Sequence, residues 1–131
     1  AVVILNASGT SVGTIVGNAS STAYNTSSDY RMKENVADMT GAIDRVKALA
    51  PKRFNFIADA DTTVDGFLAH EAQAVVPEAV TGTKDEVDED GDAVMQGIDQ
   101  SKLVPLLTGA LKEAVAKIEA LEARVKTLED A

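Results

Sequence analysis

The stretch Val104–Leu128, VPLLTGALKEAVAKIEALEARVKTL, carries the clearest structural signal in the chain. Its apolar residues alternate at spacings of three and four, which are the a and d positions of a coiled-coil heptad. These residues are Val104, Leu107, Leu111, Ala114, Ile118, Leu121, Val125 and Leu128. The pattern predicts a long helix with a narrow apolar seam along one side.

Charges beside this seam favour pairing with parallel copies of the same helix. Lys117 and Arg124 fall at g positions, and Glu122 and Glu129 fall at the e positions of the following heptads, so each g residue meets an opposite charge on a parallel neighbour. The alternative is an amphipathic helix packed on its own domain. Ile and Val at a with Leu at d would by themselves favour two strands.

The preceding region, Asp29 to Asp99, mixes helical and strand patterns and predicts an α+β core. A first helix is predicted to end before Pro51, with apolar residues at helical spacing at Val36, Met39, Ile43, Val46 and Leu49. A strand at Lys52–Ile57 and a short helix at Phe67–Val76, closed by Pro77, should follow. The last predicted element is a hairpin in which Val87 and Val94–Ile98 flank Asp90-Gly91. Asp-Gly favours a type I′ turn because both residues tolerate positive φ.

The first 28 residues contain no charged side chain. Val2–Leu5 and Val12–Val16 are β-branched runs between Ser, Gly and Thr residues, which is typical of short strands. Such a segment lacks the residues for a core of its own. We therefore expect fibrous β-structure in which neighbouring chains satisfy the backbone hydrogen bonds, with a flexible Ser/Thr linker as the alternative.

The overall composition argues against several classes of function. A net charge of −9 in 131 residues is unsuited to nucleic acid or an anionic membrane, because phosphate binding needs a positive patch. Without cysteine, and with His70 as the one histidine, the chain lacks the usual zinc ligands. The acidic run Asp85–Asp92 fails as a calcium loop, since Gly91 at loop position six would put Gly97 at position twelve, where a carboxylate is required. We expect no metal and no cofactor.

A serine and a lysine stand five residues apart in the segment SSDYRMKEN, residues 27–35. A Ser/Lys pair can act as nucleophile and base when burial keeps the lysine neutral. At about 100° per residue, Ser28 and Lys33 would point away from each other on one α-helix. The pair therefore needs either a non-helical chain between them or two subunits; otherwise Ser28 or Asp29 caps a helix and Lys33 is solvated.

Three ordered blocks resemble the endosialidase-type C-terminal intramolecular chaperones, peptidase family S74. SDYRMKENV at 28–36 resembles the family signature S-D-x-R-x-K-x-N-[IV], PKRFNF at 51–56 its proline-then-aromatic strand, and GFLAHEAQ at 66–73 with PEAV at 77–80 its G-F-[IL]-A-[QH]-E block. The family's closing helical segment corresponds to Leu103–Leu128. Similar self-cleaving domains also occur in membrane-tethered transcription factors, but the uncharged N-terminal segment favours a fibre.

The resemblance implies a function for each part of the chain. Residues 1–27 would be the end of a β-structured shaft of a phage tail fibre or tailspike, residues 28–100 the chaperone core, and residues 101–131 a parallel trimeric coiled coil. The domain would trimerise in the host cytoplasm, assist folding of its own shaft, and then release itself from the virion fibre by autoproteolysis. The alternative is a non-cleaving trimerisation cap retained at the fibre tip.

The resemblance also implies the roles of individual residues. Ser28 would be the nucleophile and Lys33 the general base, with cleavage beside Ser28 and with Asp29, Arg31 and Asn35 shaping the site. The trimer interface would consist of Leu107, Leu111, Ala114, Ile118, Leu121, Val125 and Leu128. His70 stands where the family often has Gln, so we expect a polar contact there. Glu71 fits the family block, and either a structural hydrogen bond or salt bridge or a catalytic role would explain it.

Overall fold

Three antiparallel strands, β1 (Val2–Leu5), β2 (Ser11–Gly17) and β3 (Thr22–Thr26), form a sheet in the first part of the chain. The computed structural model describes all 131 residues and divides them into two units, Ala1–Asp38 and Met39–Ala131. The predicted strands at Val2–Leu5 and Val12–Val16 are confirmed, and β3 was missed. The flexible-linker alternative is wrong for this segment.

Two asparagines shape the turns of this sheet. Asn6 Oδ1 accepts hydrogen bonds from the amides of Ser8 at 3.0 Å and Thr10 at 2.9 Å. Asn18 Oδ1 does the same for the amides of Ser20 and Ser21, both at 2.9 Å. Asn side chains favour turns because they bind the backbone in this way. Repetition of Asn-Ala-Ser at 6–8 and 18–20 was a signal for the missed third strand.

Both faces of the sheet carry apolar side chains that remain accessible to solvent. Val2, Ile15 and Tyr24 lie opposite one another across the strands, so they share one face, while Val3 and Val16 lie on the other. No residue of this unit is buried. The strands thus pair within the chain, and pairing with neighbouring chains stays a prediction.

The second unit is a mixed α+β structure with a long C-terminal helix, which confirms the α+β part of the predicted fold class. Its helices are α1 (Ala42–Ala48), α2 (Ala69–Gln73) and α3 (Val104–Glu129), and its strands are β4 (Lys52–Phe56), β5 (Asp59–Gly66), β6 (Val80–Thr81) and β7 (Gly97–Ile98). Strand β4 pairs with β5 and β6 pairs with β7, both antiparallel. Short 3₁₀ turns occupy Tyr30–Met32 in the first unit and Pro77–Ala79 and Gln100–Leu103 in the second. No helix is both long and apolar enough to cross a membrane.

The core of the second unit forms where α2, the following 3₁₀ turn and α1 meet the start of α3. Its buried residues are Ala42, Ala72, Val76, Ala79, Val80, Leu103, Leu106 and Ala110. Helices α1 and α3 approach closely at Gly109, where a Cβ atom would lie 3.1 Å from Ala42 Cβ. Glu113 of α3 caps α1, because its two carboxylate oxygens accept the amides of Ala42 at 2.9 Å and Ile43 at 3.0 Å.

Several predicted boundaries were wrong for local reasons. The first helix begins at Ala42 rather than Val36, because Asn35 and Gly41 adopt positive φ values of 52° and 69° that an α-helix does not admit. The second helix covers only Ala69–Gln73 of the predicted Phe67–Val76.

The predicted hairpin around Asp90-Gly91 was also wrong in its details. Of this pair only Gly91 has a positive φ, 85°, so the turn is not type I′. The amide of Gly91 donates to Asp88 O at 3.1 Å, and Val87 pairs with Ala93 through a single bridge. Strand β7 pairs instead with β6.

Candidate functional site

The segment from Ser28 to Asn35 folds as a short non-α turn inside the first unit. Asp29 is extended (φ −64°, ψ 135°), the 3₁₀ turn follows, and Lys33 is extended again (φ −121°, ψ 142°). Asp29 Oδ1 caps the turn by accepting the amide of Arg31 at 2.9 Å, and the amide of Lys33 closes it by donating to Tyr30 O at 3.1 Å. This backbone folds residues 28 and 33 toward each other.

Ser28 and Lys33 form a direct hydrogen bond. Lys33 Nζ donates to Ser28 Oγ at 2.7 Å, within a single chain. Of the two arrangements that the five-residue spacing left open, non-helical chain or contact across subunits, the structure contains the first. A nucleophilic hydroxyl within about 2.6–3.2 Å of a basic nitrogen has the geometry that proton transfer requires.

The Asp29 and Arg31 side chains form a bidentate pair beside this contact. Arg31 Nε lies 2.9 Å from Asp29 Oδ1, and Arg31 Nη2 lies 2.8 Å from Asp29 Oδ2. These guanidinium bonds, with smaller effects from the Arg31 amide and the Lys33 charge, hold the pKa of Asp29 below its usual value. The same pairing raises the pKa of Arg31. The Asp29 carboxylate therefore stays ionised, and both of its oxygens are bonded to Arg31. This arrangement suits a residue that shapes the site rather than one that accepts a proton.

Both members of the Ser28–Lys33 pair are exposed to solvent in the single chain. A lysine can act as a general base only as the neutral amine, because the ammonium form donates hydrogen bonds and accepts none. In the single chain, Lys33 Nζ and Ser28 Oγ are thus close enough for proton transfer, but the lysine lacks the burial that favours a neutral amine.

The sheet reaches the residue immediately before this pair. The amide of Ser27 donates to Val12 O at 3.0 Å, which continues the pairing of β3 with β2 by one residue beyond Thr26. Ser27 Oγ also lies within 3.4 Å of Ser11 O. The chain is consequently held on the N-terminal side of Ser28 by the sheet and on its C-terminal side by the 3₁₀ turn.

The predicted heptad residues of α3 form an exposed seam. Leu107, Leu111, Ile118, Leu121, Val125 and Leu128 are 49–74% exposed, and Ala114 is partly exposed. Packing on the helix's own unit uses a different stripe, Leu103, Leu106 and Ala110, which are 2–8% exposed. At about 100° per residue the mean directions of the two stripes are roughly 60° apart around the helix. Every residue from 115 to 131 is exposed.

His70 and Glu71 belong to α2 in the second unit. The His70 side chain is exposed. Lys52 Nζ lies 3.4 Å from Glu71 Oε2, an oxygen that is itself buried and makes no hydrogen bond of good geometry. This ion pair between α2 and β4 gives Glu71 a structural contact.

The acidic run near Gly91 binds its own backbone. Asp88 Oδ1 accepts the amides of Asp90 at 2.9 Å and Asp92 at 3.0 Å. The structure contains no group of three His, Cys, Asp or Glu side chains placed to hold a metal ion.

Two features of the molecule were not found by sequence reasoning. The cap that Glu113 provides on α1 joins residues 70 or more positions apart, so no local sequence pattern could predict this contact. The left-handed backbone of Asn35 lies within the recognised segment, and the tolerance of Asn for this conformation was the available signal.

Comparison with known families identifies the central part of the chain. Residues 28–81 match the family model of peptidase S74, described as the chaperone of endosialidase. The match begins at Ser28, the residue in contact with Lys33. This match supports an S74 intramolecular chaperone domain at residues 28–81, as the sequence blocks predicted. No curated protein matches the chain.

Proposed function

We propose that this chain is part of a phage tail fibre or tailspike, in which the S74 domain trimerises, assists folding of the preceding β-structured segment and releases itself by autoproteolysis at Ser28. The observation that carries the proposal is the 2.7 Å contact from Lys33 Nζ to Ser28 Oγ at the first residue of the family match. The family is associated with phage tail proteins, which supports a location in the virion fibre after assembly in the host cytoplasm.

The proposed chemistry needs only these two side chains. Lys33, once neutral, takes the hydroxyl proton while Ser28 Oγ attacks a neighbouring peptide carbonyl, and the proton then passes to the departing amine. Water hydrolyses the resulting ester. Attack on the preceding carbonyl, an N-to-O acyl shift, cuts before Ser28, whereas attack on a following carbonyl cuts after it.

Assembly provides the timing of this reaction. Lys33 is exposed to solvent in the single chain. Burial by neighbouring subunits would desolvate the amine and favour the neutral base. Cleavage would then follow trimer formation, and the shaft would keep its fold through a high unfolding barrier after the chaperone has left.

The exposed seam of α3 supports the proposed association. Residues 115–131 are all exposed in the single chain, whereas most helices in proteins are stabilised by packing of an apolar face. Burying one Leu or Ile of the seam contributes roughly 1.5–3 kcal/mol. Parallel copies joined in this way hold three shaft segments at high effective concentration, which lowers the entropic cost of pairing them. The number of three rests on the family resemblance.

A second candidate is a trimerisation cap that remains on the fibre tip without cutting itself. The exposure of Ser28 and Lys33 favours this alternative, because the single chain lacks the burial that a neutral lysine base requires. The two candidates share the seam and the oligomeric state. They differ only in whether the polypeptide breaks beside Ser28.

The mass of the folded, assembled protein tests the proposal. We expect a break beside Ser28 in the wild type, and a rate reduced by about a thousandfold or more in Ser28→Ala and in Lys33→Ala. Ser27→Ala is the matched control, since it removes the neighbouring hydroxyl and leaves the pair intact. Sedimentation of the same samples should show trimers in all four proteins. An intact wild-type chain in a trimer would reject autoproteolysis and establish the cap.

A further inference from the structure

The segment around the Ser28–Lys33 pair carries a concentration of exposed apolar side chains. Three of the six most exposed large apolar side chains of the whole chain lie in residues 24–36, namely Tyr24, Tyr30 and Val36. Tyr30 is 81% exposed, although an aromatic ring supplies a large apolar area when it is buried. The proposed chemistry uses none of these side chains, so it does not account for their exposure.

Tyr30 is tied directly to Lys33 through the backbone. It opens the 3₁₀ turn, and its carbonyl oxygen accepts the amide of Lys33 at 3.1 Å. Lys33 Nζ in turn lies 2.7 Å from Ser28 Oγ. The Tyr30 ring takes no part in an aromatic pair within the chain. A surface that covered this ring would therefore also lie beside Lys33.

The distribution of charge favours contact between copies in this part of the chain. Residues 1–38 hold three acidic and two basic side chains, whereas residues 39–131 hold eighteen acidic and ten basic ones. Near the pair, Asp29 and Arg31 neutralise each other through their bidentate contact. Like net charge opposes the approach of identical surfaces. This opposition is nearly absent in the first unit.

Symmetry determines what lies opposite Tyr30 in a parallel assembly. Copies related by rotation about an axis along the α3 seam have equivalent residues at the same height. At the height of Tyr30, each neighbouring copy therefore presents its own first unit. The sheet of that unit carries exposed apolar side chains on both faces.

We propose that Tyr30 is the contact through which the first unit of a second copy covers the Ser28–Lys33 pair. In the assembly the ring is buried against the neighbour and helps to exclude water from Lys33, and burial favours a neutral amine. Tyrosine suits this role, because its ring provides a large contact area at a low cost in conformational entropy. The geometry of the contact rests on the proposed parallel association, and its effect on rate rests on the proposed autoproteolysis.

The first readout follows the Tyr30 ring and does not depend on cleavage. The chain has two tyrosines and no tryptophan, so Tyr24→Phe leaves Tyr30 as the one tyrosine fluorophore. Adding Ser28→Ala keeps the chain intact. Acrylamide should quench the fluorescence of this assembled protein about threefold or more weakly than after the further change Ile118→Asp, which places a charge in the α3 seam, because a ring in an interface core is shielded from solutes.

The second readout is the rate of self-cleavage in the full chain. Tyr30→Ser should cleave about tenfold or more slowly than the wild type, because truncation of a buried interfacial tyrosine removes the cover. Sedimentation should still show the wild-type oligomer, since the seam is unchanged. Tyr30→Phe keeps the ring and should cleave within about threefold of the wild type. Met95→Ser, the matched control, removes an 82% exposed apolar side chain from the second unit and should leave the rate unchanged.

The two readouts separate the inference from the proposed function. A shielded Tyr30 in an assembly whose wild type stays uncut would reject autoproteolysis and support the contact with a second copy. Equal quenching with and without Ile118→Asp would overturn the inference, whether the ring is exposed in both proteins or covered by its own chain in both, and normal cleavage in the wild type would then leave autoproteolysis standing. Equal slowing of cleavage by Met95→Ser and Tyr30→Ser would also overturn it.

Discussion

The two units of the chain differ in what holds them together. All the buried residues belong to Met39–Ala131, while Ala1–Asp38 has strands in good register and no buried residue. Backbone pairing determines the geometry of a sheet, but burial of apolar surface provides most of the free energy of folding. The second unit thus has a core of its own, whereas the first presents exposed apolar side chains on both faces of its sheet.

The strongest test of this contrast removes the proposed self-association through α3. Ile118→Asp places a carboxylate in the exposed seam, and we expect it to weaken self-association by about a thousandfold or more, since burying an unpaired charge costs several kcal/mol. Sedimentation measures the association. Hydrogen exchange should show loss of protection at the β2 amides and little change in α1.

Ala120→Asp is the matched control for this change. It introduces the same charge on the same exposed part of α3, outside the a and d positions. It should leave both measurements near those of the wild type. Protected β2 amides in a monomeric Ile118→Asp protein would show that the first unit is stable without partners.

A second test compares two adjacent leucines of α3. Leu106 is 2% exposed and Leu107 is 49% exposed. Leu106→Ala should lower the free energy of unfolding of the second unit by about 2–5 kcal/mol, because it leaves a cavity in the core. Leu107→Ala should change this quantity little and weaken association instead.

Denaturant unfolding monitored by circular dichroism, together with sedimentation, distinguishes the two leucine variants. Equal losses of unfolding free energy in both would mean that the two stripes of α3 are not independent.

The smallest effect concerns the cap on α1. The amides of Ile43 and Ala42, with a further contribution from Lys117, keep the pKa of Glu113 below its usual value. A carboxyl whose pKa is lowered by folding stabilises the folded state above its unfolded pKa, about 4.3, and loses this contribution as the pH falls through the folded value. We therefore expect the second unit to lose stability below about pH 4.3, in part through Glu113.

Thermal unfolding between neutral and acidic pH checks this prediction. Glu113→Gln should unfold at a lower temperature than the wild type at neutral pH and should approach it in acid. Glu119→Gln, an exposed glutamate on the same helix, should follow the wild type at every pH. A wild type and a Glu113→Gln protein that differ equally at all pH values would contradict the role of the ionised cap.

The sequence predicted the features that depend on regular spacing. The seam of α3 and the strands at Val2–Leu5 and Lys52–Ile57 follow from periodicity over a few residues. The spacing of Ser28 and Lys33 left open whether the two meet through non-helical chain or across subunits, and the structure contains the first arrangement. It did not predict features that depend on single backbone angles or on distant contacts. Asn35 and Gly41 interrupt the apolar pattern that suggested an earlier start for α1, and Glu113 stabilises that helix from the opposite end of the unit's sequence.

Because the buried stripe and the exposed seam of α3 are separate, this helix can be lengthened without changing the core of the second unit. The core stripe ends near Ala110 and the cap at Glu113, so seven residues inserted after Val115 would lengthen the seam by one heptad without touching a buried side chain. An insertion of four would rotate the seam out of line while leaving the core equally intact. The number of heptads would therefore set the strength of the proposed association, while the residues packed around Leu106 set the stability of the globular part.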